Sequence, residues 1–141
     1  MNPPISSPEF SHFPVMLDEI INICSPDKGV VYIDCTFGGG GYSKRLLNFS
    51  KTKVIALDRD EFILNISEKL QKKYPNRFSF HKIKFSELHT IVGNKQADAV
   101  IFDLGLSSIQ LNNLKRGFSF NSKEKLDMSM GLSSISAEEV V

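Results

Sequence analysis

Three aspartates end apolar runs of this sequence in the same way. Asp34 ends "VVYID", Asp58 ends "KVIALD" and Asp103 ends "AVIFD". Short apolar runs without polar alternation are typical of strands that are buried on both faces of a parallel sheet. Ligands of such sheets bind beyond the carboxyl ends of the strands, so we expect the three carboxylates to face one crevice. The alternative for each aspartate is a local role in capping a turn.

Four consecutive glycines, residues 38–41, follow the first of these runs. Glycine has no Cβ, so a glycine turn lets the main chain approach a ligand closely. A flexible linker is the alternative, but polar, low-complexity sequence would surround a linker. Here a β-branched run precedes the glycines, and "YSKRLLNF", which is suited to the start of a helix, follows them. The pattern therefore favours a binding turn between a strand and a helix.

The spacing around this turn favours a nucleoside without a phosphate tail. A dinucleotide fingerprint would place its third glycine at Ser43, and no G-K-[ST] sequence follows, so a pyrophosphate is not specifically indicated. Asp58 nevertheless lies 20 residues after Gly38, the distance expected for a carboxylate that binds ribose hydroxyls. S-adenosylmethionine satisfies both observations, with its amino-acid part against the glycines and its ribose on Asp58.

Strand patterns alternate with helical patterns along the chain, which argues for a doubly wound α/β sheet. Strands are predicted at residues 30–35, 53–58, 77–83 and 97–105, and helices at 14–24, 42–49, 60–74 and 85–92. Asp60 is a suitable N-cap for the third of these helices, and Ser86 for the last.

Length and composition indicate one globular domain. The chain has 141 residues, of which 41% are hydrophobic and 23% are charged. The net charge of +1 means that binding to nucleic acid would depend on a local basic patch. There is no apolar run of about 20 residues and no signal-peptide pattern, so we expect a cytoplasmic protein without a membrane partner. Cys24 and Cys35 form no metal-ligand pattern, so no metal is expected. Residues 1–11 are expected to form a disordered tail.

Six sequence blocks occur in a specific order. They are "HFPVMLDE" (12–19), "YIDCTFGGGGYS" (32–43), "ALDRD" (56–60), "FDLGLSSIQL" (102–111), "RGFSF" (116–120) and "LDM" (126–128). Together they closely resemble the bacterial 16S ribosomal RNA cytosine-N4 methyltransferases, the MraW or RsmH family. The resemblance extends from residue 12 to residue 141.

The resemblance implies a Rossmann-like, class I S-adenosylmethionine-dependent methyltransferase fold with a mostly parallel sheet. About four strands are present, and their expected order is 3-2-1-4. The implied substrate is a cytosine in the decoding region of 16S rRNA, within the small ribosomal subunit. The implied cofactor contacts are Gly40, Gly41, Tyr42, Asp58, Phe85, Asp103 and Gln110.

Other residues are assigned to the reaction and to the RNA as hypotheses. We expect Asp103, or the main chain of "DLGLSS", to accept a hydrogen bond from the cytosine amine, which makes Asp103 the candidate catalytic residue. Phe118 or Phe120 is expected to hold the base outside its stack. The basic residues suited to phosphates are Lys115, Arg116, Lys123 and Lys125, and a solvated loop is the alternative for each lysine.

The sequence also departs from the family pattern. Tyr42, Ser129 and Gly131 stand where the family usually has histidine, arginine and aspartate. The family's chains are roughly twice as long as this one, with a helical insertion after "SAEE". Residues 12–141 are therefore expected to be the N-terminal, cofactor-binding part of a methyltransferase domain, truncated before that insertion. The fourth strand would then have an unpaired apolar edge, which could mediate self-association.

Two other functions compete with methyl transfer. A truncated, catalytically inactive fragment that binds S-adenosylmethionine or RNA is favoured by the short chain and by the changes at Ser129 and Gly131. An NAD-dependent oxidoreductase is disfavoured by the missing third glycine.

Overall fold

Strands and helices alternate along the part of the chain that is described by our computed structural model, residues 14–131 and 135–141. The strands are β1 (Val31–Asp34), β2 (Lys53–Asp58), β3 (Phe78–Lys82) and β4 (Ala99–Ile101). The α-helices are α1 (Leu17–Cys24), α2 (Gly41–Leu47), α3 (Leu64–Lys73), α4 (His89–Val92), α5 (Ser108–Asn112) and α6 (Ala137–Val140). Single 3₁₀ turns lie at Glu61–Ile63, Phe85–Glu87 and Leu114–Arg116. The tail predicted at residues 1–11 lies outside the described residues.

All four strands are parallel and form one sheet in the order β3-β2-β1-β4. The predicted order is therefore confirmed. In the register, Asp34 is opposite Ala56 on β2 and opposite Ile101 on β4. Extending this register by two residues puts Thr36 level with Asp58 on one side and with Asp103 on the other.

The two faces of the sheet carry separate apolar clusters because successive side chains of a strand point to opposite faces. On one face, Tyr32 and Val54 pack in a cluster with Ile21 of α1 and Leu46 of α2. On the other face, Ile33 and Leu57 form a smaller cluster, with the partly buried Ile91 and Val92 of α4 packed against it. Burial on both faces accounts for the apolar runs of the sequence.

Of the two predicted helix caps, one agrees with the structure and the other does not. Asp60 is the N-cap of the turn before α3, since its Oδ1 accepts a hydrogen bond from the N–H of Phe62 at 3.1 Å. The prediction of Ser86 as a cap is wrong. That turn begins at Phe85, and the Oε2 of Glu87 accepts a hydrogen bond from the N–H of Lys84 at 3.2 Å.

Strand β4 lies at one edge of the sheet in the described part of the chain. Its strand pairing ends at Ile101, so β4 is shorter than the predicted strand. Val100 and Phe102 are 43% and 49% exposed. The apolar edge expected from the sequence is therefore present.

No helix among residues 14–131 and 135–141 has the length and apolar character needed to cross a membrane.

Candidate active site

A cavity of about 500 Å³ lies beyond the carboxyl ends of the strands. This volume falls within the range of pockets that bind small molecules, roughly 300–1,000 Å³. Six of the seven predicted cofactor contacts line it: Gly41, Tyr42, Asp58, Phe85, Asp103 and Gln110. The cavity occupies the position that parallel α/β sheets use for ligands.

Asp34 does not face this cavity. Its side chain is fully buried, with Oδ2 accepting from the hydroxyl of Ser43 at 2.7 Å and Oδ1 accepting from the N–H of Thr36 at 3.3 Å. Burial raises the pKa of Asp34 to about 6. The prediction that all three strand-end carboxylates share one crevice is therefore wrong for Asp34. The parallel register explains the error, because it places Asp34 two residues below the level of Asp58 and Asp103.

Asp58 connects the end of β2 to the glycine turn. Its Oδ2 accepts a hydrogen bond from the N–H of Gly38 at 2.8 Å, and its Oδ1 accepts one from the N–H of Asp60 at 2.9 Å. Burial raises the pKa of Asp58 above its ordinary value, and these main-chain donors oppose the shift. The carboxylate is thus held at the cavity wall by two fixed donors.

The glycine turn makes room for the protein's own side chains. A Cβ on Gly40, which has a φ of 75°, would lie 2.8 Å from Cζ of Phe37. A Cβ on Gly41 would lie 2.0 Å from Cγ of Pro14. Gly40 is buried, whereas Gly38 lines the cavity with a φ of 49°. Close approach without side chains was expected at this turn, but at Gly40 and Gly41 the approaching groups are Phe37 and Pro14.

Tyr42 ties the start of α2 to the segment that precedes α1. The tyrosine is buried, and its hydroxyl donates a hydrogen bond to the carbonyl of Val15. Burial raises its pKa, and the nearby carboxylate of Asp103 adds to the shift. Tyr42 therefore fixes one wall of the cavity.

Phe85 and Asp103 form another part of the wall. Phe85 is 47% exposed and meets Phe102 edge-to-face, with ring centroids 5.5 Å apart. This exposure distinguishes Phe85 from an aromatic residue of the core. Asp103 is partly exposed, and its main-chain N–H donates to the hydroxyl oxygen of Thr36 at 2.8 Å.

Gln110 belongs to a buried polar network that sequence reasoning missed. Its Nε2 donates to Oδ2 of Asp60 at 2.9 Å, and its Oε1 accepts from the N–H of Ser107 at 3.0 Å. Nη1 of Arg116 also donates to Oδ2 of Asp60, at 2.7 Å, and Nη2 donates to the carbonyl of Ser129 at 2.8 Å. Burial raises the pKa of Asp60, but the hydrogen bonds from Arg116 and Gln110 outweigh it and hold the pKa below its usual value.

The guanidinium of Arg116 therefore lies in the protein interior. The prediction that Arg116 binds phosphates is wrong. Its guanidinium carbon lies 4.4 Å from the ring centroid of Phe62 and 5.1 Å from that of Phe118. Phe118 is itself buried, so Phe120, which is fully exposed, is the better of the two candidates for holding a base. The lysines of the predicted basic cluster, Lys115, Lys123 and Lys125, are exposed.

No group of three or more histidine, cysteine, aspartate or glutamate side chains is arranged to hold a metal ion within the described ranges.

Comparison with known sequences identifies the family. A sequence model of the MraW methylase family matches residues 9–141. The chain belongs to the MraW methylase family. The resemblance expected from the six sequence blocks is thereby confirmed.

Individual relatives of this MraW-family chain carry a common name. "Ribosomal RNA small subunit methyltransferase H" of Ehrlichia ruminantium (strain Welgevonden) is 46% identical over 125 residues, which cover 86% of this chain and 42% of the relative. The protein of the same name from Rickettsia massiliae (strain Mtu5) is 44% identical over 131 residues, covering 93% of this chain and 43% of the relative. The chain thus spans less than half the length of these relatives.

A solved structure supports the fold of the MraW-family chain. The crystal structure of a rRNA methylase from Streptococcus thermophilus superposes with a TM-score of 0.51 at 22% identity, covering 61% of this chain and 53% of the other. This likeness, with the parallel sheet, shows the Rossmann-like methyltransferase fold that was expected.

Proposed function

We propose that the cavity binds S-adenosylmethionine and that the protein methylates N4 of a cytosine in the decoding region of 16S rRNA. One observation carries the proposal: Asp58, Phe85 and Asp103 line one cavity at the carboxyl ends of parallel strands. Membership of the MraW methylase family supports it, and so does the name of the relatives, ribosomal RNA small subunit methyltransferase H.

The residues of the cavity fit this cofactor. Asp58 offers carboxylate lone pairs to the ribose hydroxyls while its position is held by Gly38 and Asp60. Phe85 is half-exposed at the wall and offers an aromatic surface to the adenine. Gly41 and Tyr42 line the side of the cavity next to the glycine turn. When bound, the cofactor supplies a methyl group on a positively charged sulfur.

Gly40 and Gln110 are assigned supporting roles within the same proposal. Gly40 shapes the turn by allowing the ring of Phe37 to pack against it. The amide of Gln110 is held by Asp60 and Ser107, so its contribution to the cofactor site comes from the wall that it fixes.

Asp103 is the proposed catalytic residue. The amine of cytosine is a poor nucleophile because its lone pair is conjugated with the ring. A carboxylate that accepts a hydrogen bond from one of the amine N–H groups favours the pyramidal amine, and it can take up the proton that the nitrogen loses. Holding the amine in line with the donor also lowers the barrier, because positioning removes the entropy cost of the encounter.

The RNA would reach this cavity across an exposed surface that follows α5. Phe120 offers a fully exposed ring for stacking, and Lys115, Lys123 and Lys125 offer charges to phosphates. Arg116 supports this surface from beneath, because its guanidinium lies within the fold.

Binding without turnover is the second candidate. The observation in its favour is that Ser129 and Gly131 stand where the family usually has arginine and aspartate. In this alternative, residues 12–141 act as the cofactor-binding part of a methyltransferase domain and bind the nucleoside or RNA without transferring a methyl group.

Calorimetry followed by a transfer assay tests the proposal. We expect heat of binding with S-adenosylmethionine and none with NAD. Tritiated methyl groups should then appear in small ribosomal subunits, and nucleoside analysis should identify N4-methylcytidine. Binding without transfer would favour the second candidate, and preference for NAD would contradict both.

We also propose that the β4 edge mediates self-association, since Val100 and Phe102 are exposed and no described strand pairs with the outer edge of β4. Sedimentation should show a dimer that is weakened in Val100→Lys. A monomer at all concentrations would contradict this.

A further inference from the structure

Thr36 occupies a special position at the end of β1. The residue before it, Cys35, donates its N–H to the carbonyl of Ile101 on β4 at 2.9 Å. The residue after it, Phe37, donates its N–H to the carbonyl of Leu57 on β2 at 3.0 Å. Thr36 therefore lies where the main-chain N–H groups change from pairing with β4 to pairing with β2.

The hydroxyl of Thr36 continues the sheet pairing beyond β4. Its oxygen accepts the main-chain N–H of Asp103 at 2.8 Å. The strand pairing of β4 ends at Ile101, so the N–H of Asp103 has a side chain as its acceptor where a paired strand would offer a carbonyl. This bond joins two positions that the register places side by side.

Thr36 is itself held from below. Its N–H donates to Oδ1 of Asp34, whose other oxygen accepts from the hydroxyl of Ser43 in α2. Asp34 and Ser43 are both fully buried, so this anchor is shielded from water. A chain of hydrogen bonds thus runs from α2 through Asp34 and Thr36 to the main chain of Asp103.

We propose that Thr36 is a positioning residue whose hydroxyl fixes the place and direction of Asp103 at the cavity wall. The inference rests on the proposed function, because the direction of Asp103 affects catalysis only if its carboxylate meets the cytosine amine. Loss of the hydroxyl frees the Asp103 main chain at the point where it leaves the sheet. A displacement of about 1 Å at a reacting group can cost about 100-fold in rate.

Two substitutions separate the hydroxyl from the shape of the side chain. Thr36→Val has nearly the same shape and no acceptor, whereas Thr36→Ser keeps the acceptor. In the intact protein with saturating S-adenosylmethionine, we expect Thr36→Val to lower the single-turnover rate at least about tenfold. Thr36→Ser should stay within about threefold of the wild type. The amide resonance of Asp103 should shift, and its hydrogen exchange should accelerate, only in Thr36→Val.

Thr52→Val is the matched control for a structural loss. The buried hydroxyl of Thr52 donates to the carbonyl of Leu46 at 2.6 Å and lies outside the cavity lining. This variant should melt at a lower temperature than the wild type, yet transfer methyl groups at the wild-type rate while it is folded. A merely structural role for Thr36 would give the same behaviour.

The two readouts distinguish failure of the inference from failure of the proposed function. An unchanged rate in Thr36→Val beside an active wild type would overturn the inference, and so would an unchanged Asp103 amide. If the wild type transferred no methyl group, the proposed function would fail. The positioning role in that reaction would fail with it, even if the amide data confirmed the hydrogen bond.

Discussion

Arg116 and Asp60 form a buried ion pair between residues 56 positions apart in the chain, with Nη1 and Oδ2 separated by 2.7 Å. The two side chains are only 6% and 1% exposed. The pair joins the turn after β2 to the segment that follows α5, and Arg116 also holds the carbonyl of Ser129. Since Met130 lines the cavity, the pair braces one of its walls.

Arg116→Met should be strongly destabilising. It leaves the buried carboxylate of Asp60 without its cation, and breaking such a pair typically costs about 3–5 kcal/mol. Urea denaturation would measure the loss. Arg45→Met is the control, because Arg45 and Asp18 are 3.8 Å apart and both well exposed, a pair that contributes about 0–1 kcal/mol. Equal losses in the two variants would contradict the bracing role.

Asp58→Asn should weaken S-adenosylmethionine binding by roughly 10- to 100-fold. The amide replaces one acceptor oxygen with a donor, beside the N–H groups of Gly38 and Asp60, and a hydrogen bond to a charged group contributes about 1.5–3 kcal/mol. Calorimetry checks the affinity, and melting curves show whether the variant is folded. Glu61→Gln, which removes an exposed carboxylate near Lys82, should bind as tightly as the wild type. Unchanged affinity in Asp58→Asn would remove Asp58 from the ribose site.

Asp34→Asn should change how stability depends on pH. The folded-state pKa of Asp34 is raised from 3.8 to about 6, so its stabilising contribution is complete below pH 3.8 and is lost as the pH rises to about 6. This shift of about 2 units corresponds to about 3 kcal/mol, which the asparagine variant should not lose. Urea denaturation at several pH values should show that the free energy of unfolding of the variant rises relative to that of the wild type between about pH 4 and pH 6.

Asp98 supplies a control of opposite sign for the pH experiment. Hydrogen bonds from the N–H groups of Val31 and Val30 lower the pKa of Asp98. The contribution of Asp98 to folding stability is therefore present above the ordinary pKa of a carboxyl group and is lost as the pH falls below it. Asp98→Asn should therefore lose relative stability as the pH rises. If the stability of both variants relative to the wild type changed with pH in the same direction, the pH dependence could not be assigned to Asp34.

Gly41→Ala should destabilise the protein by about 1–3 kcal/mol through overpacking, because its Cβ would lie 2.0 Å from Cγ of Pro14. Thermal denaturation would measure the effect. Pro14→Ala removes the ring that causes the clash, so the double variant should be more stable than the sum of the single losses predicts. Additive losses would show that the ring is not the obstacle.

Local patterns were sufficient to predict much of the fold. The four strands follow from apolar runs that alternate with helical spacing, and their order was expected from the family resemblance. The cap at Asp60 depends on residues two positions apart. Asp34, Asp58 and Asp103 have the same local pattern, yet only the latter two line the cavity. The difference depends on the parallel register, which compares residues on different strands and leaves no mark within one run.

The buried network was beyond local prediction for the same reason. Nothing near Arg116 in the sequence indicates a carboxylate partner 56 residues earlier, and a neighbouring lysine made it look like part of a basic surface. The threonine after "YIDC" was a weak signal that was missed, because its hydroxyl gains its role only when β4 lies beside β1.

Strand β1 lies between β2 and β4, but its two partners are made at different times. Tyr32 pairs with Val54 and with Ala99, and the second partner lies 67 residues further along. A ribosome that adds about 5–20 residues per second needs roughly 3 to 13 s to synthesise that interval. One edge of the nascent β1 therefore stays uncovered for seconds, and the Asp103 side of the cavity can form only after the Asp58 side.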